Sequence, residues 1–208
     1  MKTIIMCGGK YRKWKEPRHL TPIDGEPLVA RTIRQLKENG VVDISISSDN
    51  PVFDNFGVPR LVHKNTYDAN GYNDFSGYWC DAFYPTESPV LYIFGDVVFS
   101  DEAINKIVNT QTDSIEFFAS APPFSELYLK HSAEPFALKV VDVDWLQTSI
   151  AKLKQLDAWK CFYRKPIMWE LWQVIKQTPI NIIDYTNYTV INDYTCDIDD
   201  PEELEHAD

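Results

Sequence analysis

The chain has 208 residues and a mass of 24.1 kDa, the size of one compact domain and small for two. Hydrophobic residues make up 44% and charged residues 25%, which matches globular averages and argues against disorder. Lys and Arg total 20 against 31 Asp and Glu, a formal net charge of -11, so nucleic-acid backbones and anionic membranes are not expected partners. No apolar run approaches the ~18 residues of a membrane span. The amino end, Met1 to Gly9, breaks after a few apolar residues, so no signal peptide is expected and a cytoplasmic location is. Cys7, Cys80, Cys161 and Cys196 are far apart, with no C-x-x-C pair. They read as reduced thiols, and the four scattered histidines do not predict a metal site.

Short apolar runs alternate with helical patterns, which predicts an α/β domain spanning residues 1–208. Thr3 to Met6 reads as a first strand, buried on both faces because it does not alternate. Pro27 to Asn39 reads as a helix stopped by Asn39-Gly40. Asp43 to Ser47 alternates as a second strand, and Leu61 to Lys64 is a short third. Beyond a polar stretch, an aromatic helix is expected through Trp79 and Phe83. Val90 to Phe94 is the clearest central strand and runs directly into Gly95-Asp96. A helix follows with Ser100 as its cap, Asp101 and Glu102 in its first turn, and a stripe of Ile104, Ile107 and Val108. Glu116 to Ser120 and Phe136 to Val141 are strands, and Asp144 to Leu156 and Met168 to Lys176 are helices. Ile180 to Ile183 and Thr189 to Ile191 read as late strands, before a short acidic helix from Pro201.

Charge is unevenly placed. Lys10, Arg12, Lys13, Lys15 and Arg18 lie within nine positions, opposed only by Glu16. Gly8 and Gly9 allow a turn whose N–H groups point at phosphate oxygens, and ligands of open α/β sheets sit beyond the carboxyl ends of the strands. The segment has neither the Ser/Thr that follows Lys in a P-loop nor a G-x-G-x-x-G, so ATPase-type and dinucleotide-binding loops are not predicted.

Pro17-Arg18-His19-Leu20-Thr21-Pro22-Ile23-Asp24-Gly25-Glu26-Pro27-Leu28-Val29 continues this loop. With it, the sequence resembles the nucleotidyltransferase superfamily, in which a strand leads into a Gly-rich loop with an Arg, then Pro-Lys-x-Leu, then x-Gly-x-Pro-Leu opening a helix. Gly8, Gly9, Arg12, Pro17, Arg18, Leu20, Gly25, Pro27 and Leu28 occupy those places. The usual G-x-G-T-R is compressed to Gly-Gly-Lys-Tyr-Arg, and Arg18 replaces the usual lysine, exchanging a point charge for a planar fork. The resemblance implies a three-layer Rossmann-like fold of the GT-A type, with a mixed, mostly parallel sheet flanked by helices. It also implies a nucleotide site that includes Met6, Cys7, Gly8, Gly9, Arg12 and Arg18, with Arg12 and Arg18 acting on the phosphates.

Two carboxylate stations fit this pattern. Asp96 stands after the most apolar strand, where an unpaired charge is costly and a divalent cation satisfies it. Near the carboxyl end, Asp197 and Asp199 alternate and point the same way in an extended segment. The superfamily places a metal-binding Asp after its central strand and a second before a Pro-containing turn. By that likeness Asp96 and Asp199 are expected to hold Mg2+, with Asp197 the weaker ligand and Asp96 catalytic. The polar stretch Asn65 to Ser76 is most similar to choline-phosphate cytidylyltransferases. It implies nucleobase contacts from Asn70, Gly71, Asn73 and Ser76, and CTP over UTP or GTP.

For the acceptor, Trp169 and Trp172 lie three apart on one helix, with Tyr185 and Tyr188 on a later segment. Such rings either cage a quaternary ammonium or build core. Glu134, Trp169, Glu170 and Tyr188 are the acceptor candidates, and Lys139 points either into that pocket or to solvent. The expected activity is transfer of a nucleotidyl group from an NTP to a phosphorylated small molecule such as choline phosphate or a sugar phosphate, with release of pyrophosphate. Two rivals are a glycosyltransferase using a nucleotide sugar and a non-catalytic nucleotide sensor.

Overall fold

A computed structural model describes residues 1–9, 14–64, 77–121, 133–199 and 201. In chain order the elements are β1 (Lys2–Met6), β2 (Pro22–Ile23), β3 (Glu26–Pro27), α1 (Leu28–Glu38), β4 (Ile44–Ser47), β5 (Arg60–Leu61), β6 (Val90–Phe94) and β7 (Val97–Val98). Then come α2 (Asp101–Asn109), β8 (Ile115–Ser120), β9 (Pro135–Val140), α3 (Val143–Ala158), α4 (Met168–Lys176), β10 (Thr189–Ile191) and β11 (Cys196–Asp197).

Seven strands form one sheet in the order β10-β8-β9-β6-β1-β4-β5. Every neighbouring pair is parallel except the two that β9 makes with β6 and β8. The architecture is therefore a mixed, mostly parallel α/β sheet, as expected. β1 and β6 are buried almost throughout, the pattern of inner strands in a largely parallel sheet. β4 differs from expectation in one respect: it is buried at all four positions, Ser45 and Ser47 included, so its polar–apolar alternation does not mark an exposed face. α1 packs on α2 and α3 on α4.

Local signals account for most element ends. The Ser100 side chain accepts from Ala103 N at 2.8 Å and caps α2, and Asp142 does the same for Trp145 N at the start of α3. α4 is buried at eight of its nine positions, the pattern of a helix enclosed on all sides. The expected strand at Ile180 to Ile183 does not form. There the backbone bends, Ile182 is 73% exposed, and the Gln173 amide takes the Ile182 carbonyl at 2.7 Å in place of a strand partner. The expected helix through Trp79 and Phe83 is a single 3-10 turn, Trp79–Ala82. The acidic helix expected after Pro201 lies outside the described residues.

Two small ribbons set the functional end of the sheet. β2 and β3 pair antiparallel across Asp24-Gly25, both with positive φ (52° and 79°), the two-residue turn whose twist suits a hairpin. β7 and β11 pair antiparallel, Val98 opposite Cys196 and Val97 opposite Asp197. Ile23, Leu28, Val98, Cys196 and Ile198 form an apolar cluster of their own, with Trp14 against it. This cluster, separate from the main core, fastens the segment around Arg18 to the chain on either side of Asp96 and Asp199.

Candidate active site

A cavity of about 300 Å³ opens at the carboxyl ends of β1, β4 and β6, lined there by Met6, Gly8, Ser47, Phe94 and Asp96. This is where an open α/β sheet exposes backbone and turns to a ligand. Gly95 explains how Asp96 reaches it. A Cβ at position 95 would lie 2.5 Å from Met6 O, 2.8 Å from Cys7 Sγ and 3.0 Å from the His19 ring. Only glycine lets the end of β6 press against the end of β1, where Gly95 N donates to Met6 O at 3.1 Å.

Asp96 then meets a residue 78 positions earlier. Arg18 is 3% exposed, and its guanidinium pairs with the Asp96 carboxylate through Nη2 and with Asp199 Oδ1 through Nη1 at 2.7 Å. Nη1 also donates to Ile198 O at 2.8 Å. Backbone completes the union, since Ile198 N donates to Asp96 O at 2.8 Å and Trp14 Nε1 donates to Asp199 O at 2.9 Å. Three groups from distant parts of the sequence thus share one wall of the cavity, with Asp197 also lining it. The two carboxylates are close enough to share one cation, here the guanidinium. A pair of carboxylates on the wall of this cavity is also the donor set that Mg2+ accepts, since it takes one or two protein carboxylates and leaves other positions to water and phosphate. Among the described residues no cluster of three or more His, Cys, Asp or Glu is arranged to hold a metal.

Burial tunes the groups beneath this wall. His19 is buried against Phe53; desolvation lowers its pKa to about 4, against the pull of Asp96, so the ring is neutral at pH 7. Desolvation raises the Cys7 thiol well above its ordinary range, with Asp96 adding to the effect, so Cys7 is inert. Gly9, Lys15 and Arg18 face a second cavity of about 350 Å³, alongside Ser48, Asp49 and Asn50. Arg18 is therefore common to both spaces. Arg12 and the nucleobase candidates Asn70, Gly71, Asn73 and Ser76 lie outside the described residues.

The acceptor candidates separate. Glu134 and Trp169 line the 300 Å³ cavity, joined by Trp79 and Tyr185. Tyr188 turns away from it and donates its hydroxyl to Ser120 O at 2.9 Å. Trp172 is buried against Phe117 with its indole N–H on Thr186 O, so the four rings do not make one cage. Glu170 stands behind the lining, where its Oε1 accepts from Arg164 Nε at 2.8 Å. Lys139 points neither into the cavity nor to solvent. It is buried and donates to Val108 O at 2.8 Å and Thr110 O at 2.6 Å, closing the carboxyl end of α2; desolvation lowers its pKa.

Sequence reasoning missed three polar members of the lining, Ser47, His63 and Arg164. His63 follows an edge strand and its Nε2 lies 2.7 Å from Asp81 O. Arg164 sits in the α3–α4 connection among Lys160 and Lys165, where nothing in the spacing distinguishes it from a solvated cation. No helix among the described residues is long and apolar enough to cross a membrane.

No family model matches the chain, and no curated protein sequence does. Solved structures match over nearly its whole length. A Bacillus anthracis protein assigned as a glucose-1-phosphate thymidylyltransferase aligns with TM-score 0.57 at 14% identity, covering 99% of this chain and 93% of its own. The inositol-1-phosphate CTP transferase of T. maritima gives 0.55 at 14% identity, with 99% and 94% covered. The CTP:phosphocholine cytidylyltransferase of Streptococcus pneumoniae gives 0.52 at 14% identity, with 98% and 96% covered. The chain has the fold shared by these nucleotidyltransferases.

Proposed function

We propose that the chain is a Mg2+-dependent nucleotidyltransferase that moves a nucleotidyl group from an NTP, CTP in preference, to a phosphorylated small molecule and releases pyrophosphate. The observation that carries this reading is the meeting of Arg18, Asp96 and Asp199 on one cavity wall beside Gly8. An acceptor phosphate is ionised at neutral pH, so its oxygen attacks the α-phosphorus in line without a general base, and the P–O bond to pyrophosphate breaks as the new one forms. Catalysis then consists of positioning and charge stabilisation. Gly8 and Arg18 line the cavity assigned to the phosphates, and Gly9 and Arg12 are assigned to them on the sequence pattern. Buried between carboxylates, Arg18 is pre-oriented, which lowers the entropy lost on binding. Mg2+ held by Asp96 and Asp199, with Asp197 nearby, would neutralise charge on the α-phosphate.

Under the glycosyltransferase alternative a second carboxylate usually stands two positions after the first, in a D-x-D. Val98 stands there, buried and paired in β7, so the geometry gives it no support. The direct test incubates the chain with each NTP, Mg2+ and a panel of phosphorylated acceptors, reading pyrophosphate. Turnover is expected with at least one pair and is lost in Asp96→Ala. Tight NTP binding without turnover, indifferent to Asp96→Ala, would favour the sensor reading instead.

A further inference from the structure

We infer that Arg164 is the anion receptor of the acceptor half of this cavity, and that it selects an acceptor presenting an oxyanion there over one presenting a quaternary ammonium. The inference rests on the nucleotidyltransferase reading and names the acceptor chemistry that reading leaves open. Arg164 lines the same cavity as Trp169 and Tyr185. Its Nε edge is fastened: Nε donates at 2.8 Å to Glu170 Oε1, and the Glu170 side chain is only 4% exposed. The second Glu170 oxygen accepts from Ile167 N at 3.0 Å, so this carboxylate is fully committed as an anchor. The guanidinium plane is thereby set, while its Nη1 and Nη2 donors make no hydrogen bond or ion pair among the described residues and the side chain is 47% exposed.

The other arginine in the lining is in the opposite state. Arg18 is buried, with both Nη atoms engaged by Asp96, Asp199 and the Ile198 carbonyl. Arg164 thus offers open donors, in the planar fork that matches two oxygens of a phosphate or carboxylate. The aromatic side agrees. Trp169 and Tyr185 meet edge to face at 4.7 Å, while Tyr188 packs on Trp169 at 5.4 Å and, like Trp172, does not line the cavity, so the rings make an apolar wall rather than a cage around a cation. Next to that wall stand the open Nη1 and Nη2 donors of Arg164, which hydrogen-bond an oxyanion and have nothing to bond on a quaternary ammonium.

The oxyanion has two possible sources: the acceptor's phosphate, or a carboxylate elsewhere on the acceptor. Choline phosphate and 3-phosphoglycerate separate them. Each is titrated calorimetrically into the full chain, wild type, Arg164→Gln and Arg164→Lys, with separate titrations of each Mg2+–NTP. Arg164→Gln is expected to weaken 3-phosphoglycerate about 10- to 100-fold, with Arg164→Lys restoring part of the loss and nucleotide affinity staying within about twofold. An equal loss for choline phosphate places the phosphate on Arg164, and a loss confined to 3-phosphoglycerate places the carboxylate there. Wild type that binds choline phosphate as tightly as 3-phosphoglycerate, with neither weakened by Arg164→Gln, overturns the inference, as does a wild type that takes up nucleotide and neither probe. Absence of nucleotide binding in the wild type is a different failure, that of the nucleotidyltransferase reading itself.

Discussion

Replacing Arg18 by Met removes the cation from between Asp96 and Asp199 while keeping most of its volume. Breaking a buried pair from one side costs about 3–5 kcal/mol when both charges are enclosed. Here Asp96 is 23% exposed and Asp199 55%, so water screens part of the loss, and about 2–3 kcal/mol is the working figure. For a chain of this size each kcal/mol moves the midpoint of thermal unfolding by about 2–4 °C, giving an expected fall of about 4–12 °C by differential scanning calorimetry. The two carboxylates are then left facing each other and are a better site for a divalent ion. At ten times its dissociation constant Mg2+ restores about 1.4 kcal/mol, or about 3–6 °C. The wild type, whose carboxylates already share the guanidinium, shifts less. Adding Asp96→Asn to Arg18→Met abolishes the extra Mg2+ response. An Arg18→Met protein that melts within a degree of wild type and ignores Mg2+ would refute the convergence of these three residues on one site.

Gly95→Ala forces a methyl group into the contact with Met6 O and Cys7 Sγ. It is expected to lose about 1–3 kcal/mol in denaturant titration and to lower turnover further than that loss explains, because Asp96 moves with it; wild-type kinetics in the variant would count against the close approach. His19 makes a pH prediction. Its folded pKa is about 4 against 6.5 when unfolded, so the unfolded chain takes up a proton below pH 6.5 that the buried ring refuses. Stability present above pH 6.5 is therefore lost as pH falls toward 4, by up to about 3 kcal/mol. His19→Phe removes this component, so its stability advantage over wild type should grow from pH 7 to pH 4, and parallel curves would contradict the assignment.

Local chemistry made much of the fold legible. An unbroken apolar run such as Val90 to Phe94 has no soluble face, which requires a covered strand, and Ser100 before Asp101 and Glu102 satisfies the free N–H groups of a helix start. Both are short-range effects, complete within a few residues, and both appear in the structure as read. Asp24-Gly25 is an equally local hairpin signal, two adjacent residues that accept positive φ and pair β2 with β3. Ile180 to Ile183 shows the limit of such reading, because an apolar run becomes a strand only where a neighbouring strand offers hydrogen bonds, and here the Gln173 side chain supplies them instead.

Side-chain partnership divides along the same line. Residue order alone placed a basic turn after the first strand and acids after the central strand and near the carboxyl end, since charge and turn propensity are properties of a few adjacent residues. That Arg18 lies between Asp96 and Asp199, that Lys139 closes a helix rather than entering a pocket, and that Arg164 is anchored by Glu170 all depend on what faces each charge across folded chain. Coulomb attraction and desolvation are set by distance and burial, and those quantities exist only once the strands have been brought side by side.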